Sequence, residues 1–405
     1  MRRLCVLFFA TLLASCRPFS TTADAPLSYW GPIITIAQAE QTSAPALSVM
    51  DDRIAATWVG ADERGIHQDA RLLSANAMSD SVVLPLPPAH PFEQQIYPAA
   101  DDQHHLLWLD ALETSENRLY AALLSAELRV TRGPTPVSDR ATRRYSALPS
   151  GNGELLIVWS GGLLAEPALY LQAIDRAGRP RPPVALVTDA DWPALIRASD
   201  SSLHLFWLRP SDGQLYHATL HDEQLLNIQT LARDTALEAG DRLHSLIPAL
   251  DNSHFYLFWN VTRAAGSRES WMTTRAFGGS AWSAPVRLGI TRITNAEETG
   301  YYQTNFNSGT TFATYSGEDW LSWVAPLKGQ FDNLPAAAQF GDDLAVVYFQ
   351  GGQAQGYQSI APAQLIGLPA LHVDQARYLY LAWAQPQPNG AADLQVTSLK
   401  FQTAP

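Results

Sequence analysis

Cysteine is nearly missing from this 405-residue sequence: the two present, Cys5 and Cys16, both fall in the first sixteen residues. A disulfide framework and a thiolate metal site are thereby excluded from the body of the chain. Lysine is scarce as well, with only Lys328 and Lys400 among 27 bases, and 39 acids bring the net charge to −12. That balance lacks the basic footprint of a nucleic-acid binder. Long apolar runs are absent: Leu4 to Ala14 gives eleven residues with Thr11 as the one polar member, against about 20 needed to cross a bilayer. No stretch sustains a 3.6-residue period, and there is neither a Gly-rich phosphate loop nor a G-x-S-x-G nucleophile elbow. What is plentiful is 46% hydrophobic residues, 27 Pro, 25 Gly, and 12 Trp, 14 Tyr and 14 Phe. Such a chain can build a packed core from many short strands joined by turns.

The sequence opens with Met1-Arg2-Arg3 ahead of that apolar run, the layout of a secretory signal. The run ends in Leu13-Ala14-Ser15-Cys16, which resembles the lipobox of bacterial lipoproteins. The resemblance implies acylation of Cys16 as the new N-terminus, with residues 1–15 as signal, 16–28 as tether and 29–405 as the folded body. Cleavage removes two arginines, leaving 27 − 2 = 25 bases against 39 acids, a charge of −14. The acyl chains, rather than charge, would hold so acidic a body at an anionic surface. The expected address is the extracytoplasmic side of a bacterial cell envelope.

One pattern recurs along the body: Pro with small residues, a polar turn, then an alternating apolar strand ending in an aromatic. Its copies end at Trp58, Trp108, Trp159, Trp207, Trp259, Tyr348 and Trp383, and the first five are spaced 50, 51, 48 and 52 residues apart. That period suits a four-stranded propeller blade. Asp, Asn and Gly at the turns accept the positive φ of tight hairpins. A third strand is marked by Leu119-Tyr120, Leu169-Tyr170 and Leu215-Tyr216, and an outer fourth strand follows. The expected fold is all-β, a propeller of four-stranded antiparallel blades, seven or eight in number. Eight is the expected number, with Tyr301–Phe306, Thr311–Tyr315 and Trp320–Val324 supplying the strands of a divergent blade; treating that segment as an insertion makes seven. Pro32–Ile36 is expected to supply the outer strand of the last blade and so close the ring.

With the blade defined, Phe206-Trp207, Asp212-Gly213, Leu215-Tyr216 and Trp282-Ser283-Ala284-Pro285-Val286 resemble the repeats of sialidase-like (BNR or Asp-box) propellers. The likeness implies the fold over most of the chain. It does not carry over catalysis: Phe277 stands where the box has Asp, and no Phe/Tyr-Arg-Ile-Pro motif precedes the first blade.

The paired Asp51-Asp52, Asp101-Asp102 and Asp342-Asp343 sit one pair per blade and read as turn residues rather than calcium ligands. His217 and His221 are four residues apart, about 13 Å along a strand, too far to share an ion. No metal and no cofactor is expected. Propeller ligands sit over the channel, on the loops that lead into the innermost strands. Arg144, Tyr145, Trp192, Arg242, His244 and Tyr302 occupy such positions, where guanidinium groups and aromatic faces could hold an acidic glycan. Glu298 and Tyr301 are the weaker candidates for catalysis, as an acid beside a tyrosine nucleophile. The sequence therefore reads as a monomeric, lipid-anchored propeller that binds glycans or partner proteins, with a sialidase-like glycoside hydrolase as the alternative.

Overall fold

The computed structural model describes residues 30–400, apart from positions 40, 43–44, 51–52, 64, 75–77, 87–90, 112–115, 163–166, 199, 232–236, 252, 266–267, 288, 294–300, 306–320, 324–333, 341–342, 363–364, 366–368 and 374–377. Every regular element among them is a β-strand. No helix among them is long and apolar enough to cross a membrane.

Seven larger antiparallel sheets, labelled I to VII, follow one another along the chain. Sheet I comprises Ala46–Met50, Arg53–Asp62, Gly65–Ser74 and Val82–Leu84, with the short strand Gln41–Thr42 pairing on the same edge as Ala46–Met50. Sheets II to VI begin with Pro91–Pro98, Thr142–Pro149, Asp191–Arg197, Arg242–Leu250 and Leu321–Trp323, and each has four strands. In sheet VII the strands Ala370–Val373, Tyr378–Pro386 and Ala392–Lys400 are joined by Ile34–Ala39 from the start of the described chain. The expected partnership of the two chain ends is thus present as a strand pair, and the Thr397 hydroxyl fastens it by donating to the Gly31 carbonyl at 2.9 Å.

The repeated aromatics explain why each sheet has its register. The second-strand Trp and the third-strand Tyr are direct cross-strand partners in three successive sheets: Trp108 with Tyr120, Trp159 with Tyr170 and Trp207 with Tyr216. Their rings stack with centroids 5.8, 4.5 and 5.4 Å apart, so a slip by one residue would forfeit both the stack and the burial of the whole strand face.

Second strands are apolar on both faces because each sheet is covered twice. Leu107 and Leu109 pack toward sheet III with Trp159, whereas Leu106 and Trp108 pack toward sheet I with Ala55 and Ala70. Burying one such side chain contributes roughly 1.5–3 kcal/mol. Equivalent clusters join sheets III and IV, IV and V, VI and VII, and VII and I. Sheets V and VI touch through Phe258 and Phe349, centroids 5.3 Å apart, and through Asp251 Oδ2, which accepts from the Gly351 amide at 3.0 Å.

The segment expected to form a divergent blade is arranged differently. Tyr301–Asn305 pairs with Gly289–Ile293 as a two-stranded unit, and Leu321–Trp323 adds to the edge of Leu334–Phe340 in sheet VI. The described strands of this segment make no four-stranded sheet of their own, since the free edge of sheet VI takes one of them. Thr311–Tyr315 and Trp320 lie outside the described residues.

Candidate functional site

Four consecutive first strands, those of sheets II to V, carry a β-bulge near their start: between Phe92 and Gln95, Thr142 and Arg144, Asp191 and Ala194, and His244 and Ile247. A bulge leaves residues unpaired and re-aims their side chains. Glu93, Arg144, Trp192 and Ser245 each stand five residues before the last residue of their strand; Arg144 is in register opposite Ser160, and the other three fall within the bulge. Three of them hold a left-handed backbone, with φ of 47° at Glu93, 53° at Trp192 and 60° at Ser245. Such a conformation is strained for a residue with a Cβ and persists only where the surroundings enforce it.

Glu93, Arg144, Trp192 and His244, which lie in or beside these bulges, touch in sequence across the four sheets. Glu93 Oε1 lies 3.3 Å from Arg144 Nη1. The Arg144 guanidinium sits over the Trp192 ring at 4.3 Å, and Trp192 leans on the His244 ring with centroids 5.8 Å apart. His244 is held on both nitrogens, Nδ1 at 2.6 Å from Ser245 Oγ and Nε2 at 2.8 Å from Thr262 Oγ1. Below this arc Arg143 pairs with Asp191 at 3.0 Å, and Asp191 also accepts from the Trp192 amide at 2.9 Å, which fixes the bulge. At the far end Arg263 pairs with Asp241 at 2.8 Å.

Tyr145 donates its hydroxyl to the Glu93 carbonyl, and Tyr97 donates to Gln95. Burial raises both phenols above the usual tyrosine range, and the neighbouring Tyr97 and Glu93 push Tyr145 further. Neither is a phenolate at neutral pH, so both act here as hydrogen-bond donors.

Of the residues singled out from the sequence, the structure gathers Arg144, Tyr145, Trp192 and His244 into one arc. Arg242 is exposed at the start of the His244 strand. The backbone of Tyr301 and Tyr302 lies in the pair with Gly289–Ile293, while Glu298 and Cys16 lie outside the described residues. Glu93, Ser245 and Thr262 were not legible as site residues. For Glu93 and Ser245 the available signal was position: both stand five residues before the end of a first strand, where Arg144 and Trp192 stand in the adjacent sheets.

Consecutive, mutually packed four-stranded sheets define the class: the chain is a β-propeller. No family model matches it, and no curated protein matches it in sequence. Among solved structures it is similar to the polysaccharide lyase Uly1, at 10% identity over 88% of this chain and 89% of that one, with a TM-score of 0.57. It is also similar to an ulvan lyase of polysaccharide lyase family PL25, at 8% identity over 86% and 92%, TM-score 0.54. A third is the α-L-arabinofuranosidase Arb93A from Fusarium graminearum, at 12% identity over 78% and 96%, TM-score 0.50. At these identities the likeness is one of fold.

Proposed function

We propose that this protein is an envelope lipoprotein whose propeller binds an acidic glycan on the arc formed by Glu93, Arg144, Trp192 and His244. The observation that carries this reading is the continuous contact chain across four sheets, each bulged near the start of its first strand, with a non-glycine residue at positive φ in three of them. Core packing alone has no need of strain repeated in this way, and strained residues gather at ligand sites. Arg144 offers a fork for a carboxylate or sulfate, and the indole of Trp192 offers an apolar edge for a sugar ring. The fold is one that the solved polysaccharide lyases and the arabinofuranosidase also use for glycans, as their names state.

The remaining parts of the reading concern frame and address. Seven blades form one ring, with sheet V meeting sheet VI through Phe258 and Phe349 and Ile34–Ala39 completing sheet VII. Acylated Cys16 and the tether hold the ring outside the cytoplasmic membrane, so Cys16→Ser should move the protein from the membrane fraction to the soluble one.

A glycan array probed with the purified full chain tests the binding. Retention on uronate- or sulfate-bearing glycans, lowered about tenfold or more in Arg144→Gln and Trp192→Ala, is the expected result. A blank array, or variants that bind like the parent, would overturn it. The second reading, a glycan-cleaving enzyme, is favoured by a carboxylate, a guanidinium and an imidazole lying along one arc, the groups with which acid-base cleavage is run. Loss of the printed sugar on the same array would select it.

A further inference from the structure

The interface of sheets IV and V has a second cluster at its other end. His254 and Thr262 terminate the same strand, eight residues or about 26 Å apart. Thr262 holds His244 in the arc, whereas Phe255, next to His254, faces a buried pair of histidines. Asp200 Oδ1 accepts from Ser202 Oγ at 2.6 Å, Ser202 Oγ lies 2.8 Å from His204 Nε2, and His204 Nδ1 lies 2.9 Å from His217 Nε2. A carboxylate can only accept, so each proton in this relay points toward Asp200. The relay therefore leaves a lone pair on His217 Nδ1, which is buried with no hydrogen-bond partner. Burial holds both imidazoles neutral, His204 at about 4 and His217 at about 3, with Arg275 adding to the effect.

Two donors beside this acceptor are orphaned as well. Arg275 Nε and Trp282 Nε1 are buried without a partner, although the guanidinium lies over the rings of Phe255 and Trp282 at 4.8 and 5.0 Å. Trp282 also meets His217 edge to face at 5.6 Å. Among the described residues no acid pairs with Arg275. Seventeen buried side-chain polar atoms among the described residues lack a partner, and three of them gather here, one on the half-buried Arg275 itself and the others on His217 and Trp282.

We propose that this cluster is a ligand site, separate from the arc, for a small hydroxy acid such as a sugar acid. The rings of Phe255 and Trp282 lie against the Arg275 guanidinium, whose planar fork matches a carboxylate. Trp282 Nε1 supplies a further donor to the carboxylate. The acceptor at His217 Nδ1 requires a donor from the ligand, which a hydroxyl next to the carboxylate provides. A simple carboxylate or a sulfate would leave that nitrogen unmatched.

Titration calorimetry of the purified full chain with lactate, D-gluconate, propionate and sulfate tests this. Lactate and gluconate should bind saturably, propionate and sulfate about tenfold more weakly or worse. Binding should vanish in Arg275→Gln. It should weaken several-fold in Trp282→Phe, which keeps the ring and loses only the N–H. Arg53→Gln, another arginine at this end, should bind like the parent. No saturable binding of either hydroxy acid, equal binding of propionate, preference for sulfate, or binding that survives both Arg275→Gln and Trp282→Phe would overturn the assignment. Should Arg275→Gln fail to fold, the Trp282→Phe and propionate results decide.

Discussion

The two ends of sheets II, III and IV obey different rules. At the end away from the arc, the hairpins between first and second strands close with the same bond: Ala99 to Gln103, Ser150 to Glu154 and Ala198 to Ser202, each at 2.8 Å from amide to carbonyl. Positive φ falls there on Asp101 and Asp102, Gly153 and Ser201, residue types whose small or hydrogen-bonding side chains suit a turn. At the arc end each first strand again carries a bulge, with positive φ at Glu93 and Trp192 but not at Arg144, and the side chains differ: glutamate, arginine and tryptophan each stand five residues before the strand end. Where geometry and residue type repeat together, the requirement is folding. Where geometry repeats and residue type varies, the position has been used to display chemistry.

The largest expected effect tests the folding end. Gly153 has φ +82°, and a Cβ there would lie 2.6 Å from the Ala100 Cβ and 2.7 Å from the Ala100 amide nitrogen. This is where one hairpin presses on the hairpin of the preceding sheet, an approach that His105 reinforces by bonding to the Gly153 carbonyl at 3.0 Å. Gly153→Ala should destabilise by about 2–4 kcal/mol, adding backbone strain to overpacking. Gly65 at the other end has φ +98° with nothing within 4 Å of a built Cβ, so Gly65→Ala should cost only the backbone part, about 1 kcal/mol. Urea unfolding of both variants measures the difference. Equal losses would mean that the hairpin contact is not the constraint described.

A second expectation concerns acid. Burial lowers His104 to about 4, with nearby Arg53 contributing, and His204 and His217 fall to about 4 and 3. The unfolded chain takes up these protons near pH 6.5. Their neutral burial therefore contributes fully above that pH and is lost progressively as the pH falls through about 4. The melting temperature should drop over that window, and His104→Asn should flatten part of the drop. An unchanged slope in the variant would show that His104 is protonated in the folded state.

The difference between the ends also explains what the sequence made legible. Trp108, Trp159 and Trp207 with their Tyr partners repeat because packing between sheets demands the same shape each time, so blade and strand order could be read from spacing. His104 and His105, adjacent in the second strand of sheet II, bond to Ser48 of sheet I and to Gly153 of sheet III respectively, as alternation along a strand requires. The bulges escaped notice because a bulge has no residue signature when its positive φ falls on Glu, Trp or Ser instead of Gly or Asn. Arg144 and Trp192 were found through their chemistry; Glu93 was not, since an isolated glutamate near a loop resembles any solvated one. The stretch from Tyr301 to Trp323 misled because aromatic strands were assigned to one blade, whereas they pair with Gly289–Ile293 and with Leu334–Phe340.

The smallest effect isolates the strain itself. Glu93→Ala and Glu93→Gly both remove the carboxylate that pairs with Arg144, so the two variants differ in whether a Cβ must sit at φ 47° and in the chain entropy that glycine gives up. The glycine variant should be the more stable by about 1 kcal/mol. At Gln95, two residues along the same strand and back in register opposite Leu107, the order should reverse, because glycine in a regular strand sacrifices chain entropy without relieving anything. Paired unfolding curves at the two positions thus give opposite signs if the bulge is held against its own preference. If glycine were the less stable residue at both, the arc would be an ordinary strand end whose side chains are displayed at no energetic cost.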